Sequence, residues 1–379
     1  MRQLYLDYAA TAPLLPVAKA AMIDALGAGY GNASALHSAG HKAVCRIEEA
    51  RVAIARLLNA DPEEIIFTSG GSEANNTVAE IFRGRKIATS AIEHPSVLES
   101  MRTRASEFRT IPVDHEGRVD PLTVPMDVDM ASVMLANNEI GTLEPIAEIA
   151  KHCKKHNIFL HTDATQAFGK IKIDVKALGV DYLTISAHKI GGPIGIGALF
   201  IRKGAPYRPL IIGGHQEWNR RAGTSNTVAI IGFGAAVNWC WDNWSCRLFG
   251  DKVQSLRDQL RTRILEKVPY SSCNSPKDDC LPNILNMSFQ AAEGESIQLY
   301  LDAEGIMVST GSACAAGDIK PSHVLMATSG NAEVAHSSIR FSLGLDTTQD
   351  DINYVMQVLP GVIRRLQGMS TIKIKEEHD

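Results

Sequence analysis

Over roughly its first 250 residues the chain alternates between short apolar runs and stretches with helical periodicity, and few architectures accept that pattern. Residues 41–59 set Val44, Ile47, Ala50, Ile54, Leu57 and Leu58 on one helical face. Asp61-Pro62 breaks that helix, and Ile65-Ile66-Phe67-Thr68 follows as a strand. Ser69-Gly70-Gly71-Ser72 is a turn into a helix over Glu73–Ile81. Further strand-like runs are Ile87–Ser90, Ser132–Ala136, Ile158–His161, Tyr182–Ser186 and Ala198–Ile201. Helical stretches sit between most of them, and that alternation predicts an α/β fold with a mostly parallel sheet.

The pattern changes near residue 250. A helix over 250–267 leads to a loop with Pro269, Pro276 and Pro282, then to strand-like Ile284–Phe289, Ile306–Ser309 and Ser338–Leu343. A final helix opens with Thr347 as its cap and Asp350 three residues on. The expectation is a large domain over 15–250 and a smaller α+β domain formed by 1–14 and 251–379.

Composition closes off several functions. Lys and Arg number 38 and Asp and Glu 42, a net charge of −4, so there is no electrostatic footprint for bulk nucleic-acid or membrane-surface binding. The basic clusters Arg83-Gly84-Arg85-Lys86 and Arg220-Arg221 are short and read as solvated faces or phosphate-side residues. The N-terminus carries no apolar signal-type stretch, and the most apolar run, Val228–Val237, is half of a membrane span. A cytoplasmic protein is expected. Seven cysteines include no Cys-x-x-Cys pair, so neither a metal site nor a disulfide framework is signalled.

The chemistry centres on Ser186-Ala187-His188-Lys189, which follows a strand and enters a glycine-rich turn. Ligands of α/β sheets sit beyond the carboxyl ends of strands, and a lysine there can form a Schiff base. Asp163 ends the preceding strand, one crossover earlier, so both groups face one crevice. Pyridoxal phosphate needs that pair: an amine for its aldehyde and a carboxylate for its pyridinium nitrogen. Gly70-Gly71-Ser72 opens a helix whose free N–H groups suit a phosphate. Cys314 sits among small residues from Ser309 to Gly317. Such a stretch packs poorly and suits a nucleophilic thiol that must travel.

Eight motifs occur in order. They are Thr68-Ser69-Gly70-Gly71-Ser72-Glu73-Ala74-Asn75-Asn76, Glu93-His94-Pro95, Asn137-Asn138-Glu139-Ile140-Gly141 and His161-Thr162-Asp163-Ala164-Thr165-Gln166. The others are Ser186-Ala187-His188-Lys189, Arg221-Ala222-Gly223-Thr224, Ser309-Thr310-Gly311-Ser312-Ala313-Cys314 and Ser337-Ser338-Ile339-Arg340-Phe341-Ser342. With Tyr5-Leu6-Asp7-Tyr8-Ala9-Ala10-Thr11 ahead of them, the whole chain resembles the group I (NifS/IscS-like) cysteine desulfurases of the class V aminotransferase family. The resemblance implies the fold type I of pyridoxal-phosphate-dependent transferases. It implies that Lys189 carries the cofactor, Asp163 pairs with its ring nitrogen, Gln166 bonds its ring hydroxyl, and His94 stacks on it and moves protons. Gly71, Ser72, Ser186 and His188 would take the phosphate, with Thr224 reaching it from the second subunit of a homodimer. Asn138 and Arg340 would hold the carboxylate of L-cysteine. Cys314 would accept the sulfur as a persulfide, L-alanine would leave, and an acceptor protein would receive the sulfur.

Ile194, His215, Trp218, Asn219 and Leu345 depart from what relatives usually carry. A selenocysteine lyase, or another lyase or aminotransferase using the same cofactor, is the alternative. Those reactions need no thiol, and Cys314 argues against them.

Overall fold

The computed structural model describes residues 2–28, 31–244, 248–310 and 321–371. A seven-stranded sheet forms the centre. Its strands are β2 (Ile65–Thr68), β3 (Lys86–Ser90), β4 (Glu107–Ile111), β5 (Met130–Ser132), β6 (Phe159–Asp163), β7 (Tyr182–Ser186) and β8 (Gly197–Ile201). They lie in the order β2-β8-β7-β6-β5-β3-β4. Every pairing is parallel except the two made by β8, which runs antiparallel to both β2 and β7. Two reversals cancel, so β2 points the same way as β7. The carboxyl ends of β2, β3, β5, β6 and β7 therefore share one edge.

Helices cover both faces, and the strand residues alternate between them. Ile65, Phe67, Leu183 and Ile185 join one core, with α1 (Pro16–Ala28), α2 (Ser38–Leu58), α5 (Ile146–Lys155) and the helix Thr227–Trp244. Ile66, Tyr182, Leu199 and Ile201 face the other way, onto α3 (Gly71–Ile81) and α4 (Pro95–Arg104). A further core joins Leu4 and Leu6 to the last third of the chain. Here β9 (Ser271–Cys273), β10 (Ile284–Phe289) and β12 (Ser338–Ser342) form an antiparallel sheet in the order β12-β10-β9. The short β1 (Leu4–Tyr5) pairs in parallel with β11 (Ile306–Met307). We propose that this core and the central sheet mark the two domains, divided near residues 14 and 250.

Several expectations shift in detail. The strand expected over 132–136 is Met130–Ser132. The α2 helix starts at Ser38, where His37 caps it by accepting from Gly40 N. The final helix, Gln349–Met369, is capped by Thr348 with Asp351, one residue later than predicted. The sequence reading had no strand at Glu107–Ile111, whose polar side chains reflect an edge position. The basic cluster is ion-paired: Arg83 with Glu80, Arg85 with Asp129, Lys86 with Glu107.

Leu183 is fully buried in the middle of the sheet. Leu183→Ala is expected to cost about 2–5 kcal/mol, the range for an unrefilled leucine cavity. Urea unfolding of the variant against the parent chain measures it.

Candidate active site

The shared strand edge gathers the polar motifs. Asp163 is the last residue of β6 and is nearly buried. Its Oδ2 accepts from Asn75 Nδ2 at 2.8 Å and its Oδ1 from the backbone N–H of Thr165 at 2.9 Å. Two donors fix the orientation of the carboxylate. One strand over, β7 ends at Ser186 and a single helical turn, residues 187–190, carries His188 and Lys189. Lys189 Nζ donates to the carbonyls of Ala9 at 2.6 Å and Ala10 at 2.8 Å. Asp163 pairs in register with Thr184 of β7, which sets the two groups on adjacent strands.

The start of α3 stands beside them. A Cβ placed on Gly71 would lie 3.2 Å from Thr165 Oγ1 and 3.9 Å from Ser186 Cβ. Glycine thus leaves a cradle between the helix N-terminus and these hydroxyl residues. Thr165 Oγ1 and Asn75 Oδ1 are buried there without a hydrogen-bond partner. Ser72 is exposed on the first turn of α3.

His94 caps α4, its Nδ1 accepting from Ser96 N at 3.1 Å and lying 2.8 Å from Ser96 Oγ. Ser96 Oγ also accepts from Asn75 Nδ2 at 2.9 Å, so one amide ties His94 to Asp163. Burial lowers the His94 pKa, the nearby Asp163 charge opposing it and Lys189 adding to it. Nδ1 is occupied as an acceptor, which leaves Nε2 as the protonated nitrogen of the neutral ring.

Arg340 is buried in β12. It donates to Asn138 O at 2.9 Å and to Asp7 Oδ1 at 2.8 Å, while its Nε is buried without a partner. Asn138 and Arg340 are therefore together, through the Asn138 main chain. Gln166 is buried, donating through Nε2 to Ala9 O at 2.8 Å. A cavity of about 290 Å³ opens beside Lys189, lined among others by Tyr8, Lys170, Cys240 and Leu345. Thr224 lies elsewhere. It is exposed on a separate surface cavity of about 170 Å³ with Ser69 and Arg221. Cys314 falls outside the described residues.

The departures cluster near that second cavity and at the mouth. Ile194 is exposed. Glu217, Trp218 and Asn219 take left-handed backbone conformations in succession. Arg51 holds them, with its guanidinium at 2.7 and 2.8 Å from the Glu217 carboxylate and stacked on the Trp218 ring. His215 bonds Asn219 through Nδ1.

Residues that carry no signal of their own in the sequence complete the site. Asn75 lies one helical turn beyond Gly71, a spacing that shares a face. Ser96, Thr165 and Asp7 stand within two residues of a motif position or inside the N-terminal run. Lys170 lies outside the motifs, and His161 opens the one that carries Asp163. His161 is fully buried, bonded to Ser132 Oγ at 2.8 Å and Thr184 Oγ1 at 3.0 Å. Among the described residues no cluster of His, Cys, Asp or Glu could hold a metal ion, and no helix is long and apolar enough to cross a membrane.

The family model for class-V aminotransferases matches residues 4–355. A cysteine desulfurase IscS from Dictyoglomus turgidum is 45% identical, over 98% of this chain and 97% of its own length. The X-ray structure of a NifS-like protein from Rickettsia africae superimposes with a TM-score of 0.88 at 34% identity, covering 96% of this chain and 100% of that one. A structure of SspA in complex with cysteine gives 0.78 at 32% identity, over 90% and 99%.

Burial pushes the pKa of His161 and of His188 down to about 4 from 6.5. The unfolded chain binds these protons first, so their contribution to native stability falls as pH drops from about 6.5 to about 4. Urea midpoints across that window are expected to fall in the parent and to fall less steeply in His188→Asn.

Proposed function

The chain belongs to the class-V aminotransferase family, and on that footing we propose that it is a pyridoxal-phosphate-dependent cysteine desulfurase. It takes sulfur from L-cysteine, releases L-alanine and delivers the sulfur to an acceptor. The observation that carries the reading is the Lys189 amine and the fixed Asp163 carboxylate on adjacent strand ends, beside the open cradle at Gly71. The partnerless Thr165 Oγ1 in that cradle is a donor awaiting an acceptor, as a phosphate would be.

Bound at Lys189, the cofactor supplies an electron sink that makes the α-proton of an amino acid labile. Asp163, held by Asn75 and Thr165, would face the cofactor's ring nitrogen and hold a proton there. The N–H groups at the start of α3, with Ser72, Ser186 and His188, neutralise a phosphate. Arg340 holds the substrate carboxylate beside Asn138, its partnerless Nε giving it spare donor capacity. Once substrate takes its place, the Lys189 amine is the base that removes the α-proton. His94 exchanges protons through Nε2. The Cys314 thiolate attacks the substrate sulfur and forms an S–S bond. The electron pair of the broken C–S bond stays on carbon and is protonated, giving alanine.

Four of the other cysteines are set apart by burial, whereas Cys45 is exposed. Burial raises the pKa of Cys153, Cys240, Cys273 and Cys280 and keeps their thiols protonated and inert. Thr224, which lines a different cavity from Lys189, fits a role in a second copy of the protein, and a homodimer is the proposed working form. The sulfur then passes to an acceptor protein. The cytoplasm is the proposed compartment.

Purified protein loaded with pyridoxal phosphate is expected to yield alanine and sulfide in equal amounts from L-cysteine with a thiol reductant. Cys314→Ser should keep the visible absorption of the bound cofactor and lose sulfur release. Lys189→Ala should lower kcat by about 10²–10⁴-fold, the range for a lost general base. Alanine production that persists in Cys314→Ser at the parental rate overturns the nucleophile. A yellow protein inert to cysteine overturns the substrate.

A further inference from the structure

The Gln166 carboxamide is held at both ends. Its Nε2 donates to Ala9 O at 2.8 Å, and its Oε1 accepts from Lys170 Nζ at 3.0 Å. The turn after β6 brings the two residues together. Main-chain bonds from Phe168 to Ala164 and from Ile171 to Ala167 wind residues 164–171 helically, so positions four apart share a side. Gly169 lets the turn close: its φ is +70°, and a Cβ there would meet Ile190 at 2.7 Å.

Lys170 is 6% exposed and sits among unfavourable company. Burial lowers its pKa to about 7, and the charges of Lys189 and Arg340 add to the effect. Cys240 is also within its field, and Tyr8 and Asp346 line the same cavity. A lysine kept in such a place at such a cost invites a specific task.

The two ends of a carboxamide are alike in shape and opposite in hydrogen bonding. Lys170 Nζ donates to the oxygen end, which turns the amino end away. The Ala9 contact favours the same orientation and occupies one of the two N–H groups, while Ala9 O also receives Lys189 Nζ at 2.6 Å. The Lys170 contact leaves the N–H available.

We propose that Lys170 is a positioning residue that fixes the Gln166 carboxamide with its N–H, not its oxygen, presented to the cofactor's ring hydroxyl. The inference rests on the pyridoxal-phosphate reading above. Lys170→Met removes the donor at similar length, and Lys170→Gln keeps an N–H donor without the charge. Each is made alone and with Gln166→Ala, and pyridoxal phosphate affinity and the visible spectrum of the bound form are measured. Lys170→Met should bind about tenfold more weakly, as expected for one lost hydrogen bond to a charged group, and shift the visible band. Lys170→Gln should restore both. In the Gln166→Ala background Lys170→Met should cost nothing further.

Parental affinity and spectrum in Lys170→Met overturn the proposal. So does a loss that persists in Gln166→Ala, or a Lys170→Gln variant as impaired as Lys170→Met, which assigns the effect to charge. Circular dichroism checks folding, and Lys170→Leu replaces Lys170→Met under the same criteria if the latter does not fold. A parent protein that takes up no pyridoxal phosphate overturns the functional reading itself.

Discussion

The carbonyl of Ala9 receives both the Lys189 amine and the Gln166 amide, and the rest of the site is arranged around the strand of chain that brings it there. That segment starts in the smaller core, where Leu4 and Leu6 are buried. Asp7 meets Arg340, and the backbone N–H groups of Tyr8 and Ala9 bond Ser342. Two residues on, Ala9 is already part of the core beneath the central sheet. A handful of N-terminal residues thus crosses from one hydrophobic core to the other and lays polar main chain along the strand edge. The cations of the site, Lys189 and Arg340, each find a partner on it.

A second layer keeps the motifs in place from behind. Glu93 is fully buried and accepts from Ser90 Oγ and Met134 N, and burial lifts its pKa well above the usual carboxylate range. Glu139 is pushed up to about 7 by burial and accepts from Ser322. Asn137 Oδ1 accepts from Glu139 N and Ile140 N, which forms the turn that presents Asn138. His323 bonds the carbonyl of Glu93, next to His94. Buried polar groups of this kind are expensive unless satisfied, and here most are satisfied by main chain of the segments they support. The flanks of the site are thereby stiffened by hydrogen bonds in addition to the apolar cluster of Ile92, Met134, Ile140, Val324 and Leu325.

How much of this could be read from the chain differs by residue. The motif positions with distinctive chemistry, Asp163, Lys189, His94, Arg340 and Gly71, stand out because strand ends and helix starts leave local marks. Asn75 and Thr165 orient Asp163, yet one is an unremarkable helix residue and the other a turn threonine. Their importance comes from contacts spanning many residues, Asn75 to Asp163 being 88 positions apart. The edge strand Glu107–Ile111 escaped notice for a related reason: its pattern is polar, and only pairing with β3 makes it a strand. Helix caps slipped by a residue because Thr347 and Thr348 are equivalent candidates until backbone angles choose between them.

By itself the sequence determined the alternation of strands and helices, and hence a layered α/β fold with its chemistry at the strand ends. Period-two and period-3.6 burial are properties of local sequence, so they survive without knowledge of the neighbours. The tertiary structure decided how β8 reverses twice to keep β2 in line with the parallel strands. It decided that Ala9 holds Lys189, that Asp7 holds Arg340, and that Lys170 turns up behind Gln166. These are pairings between distant segments, and a buried charge chooses its partner only when packing has removed water as the alternative.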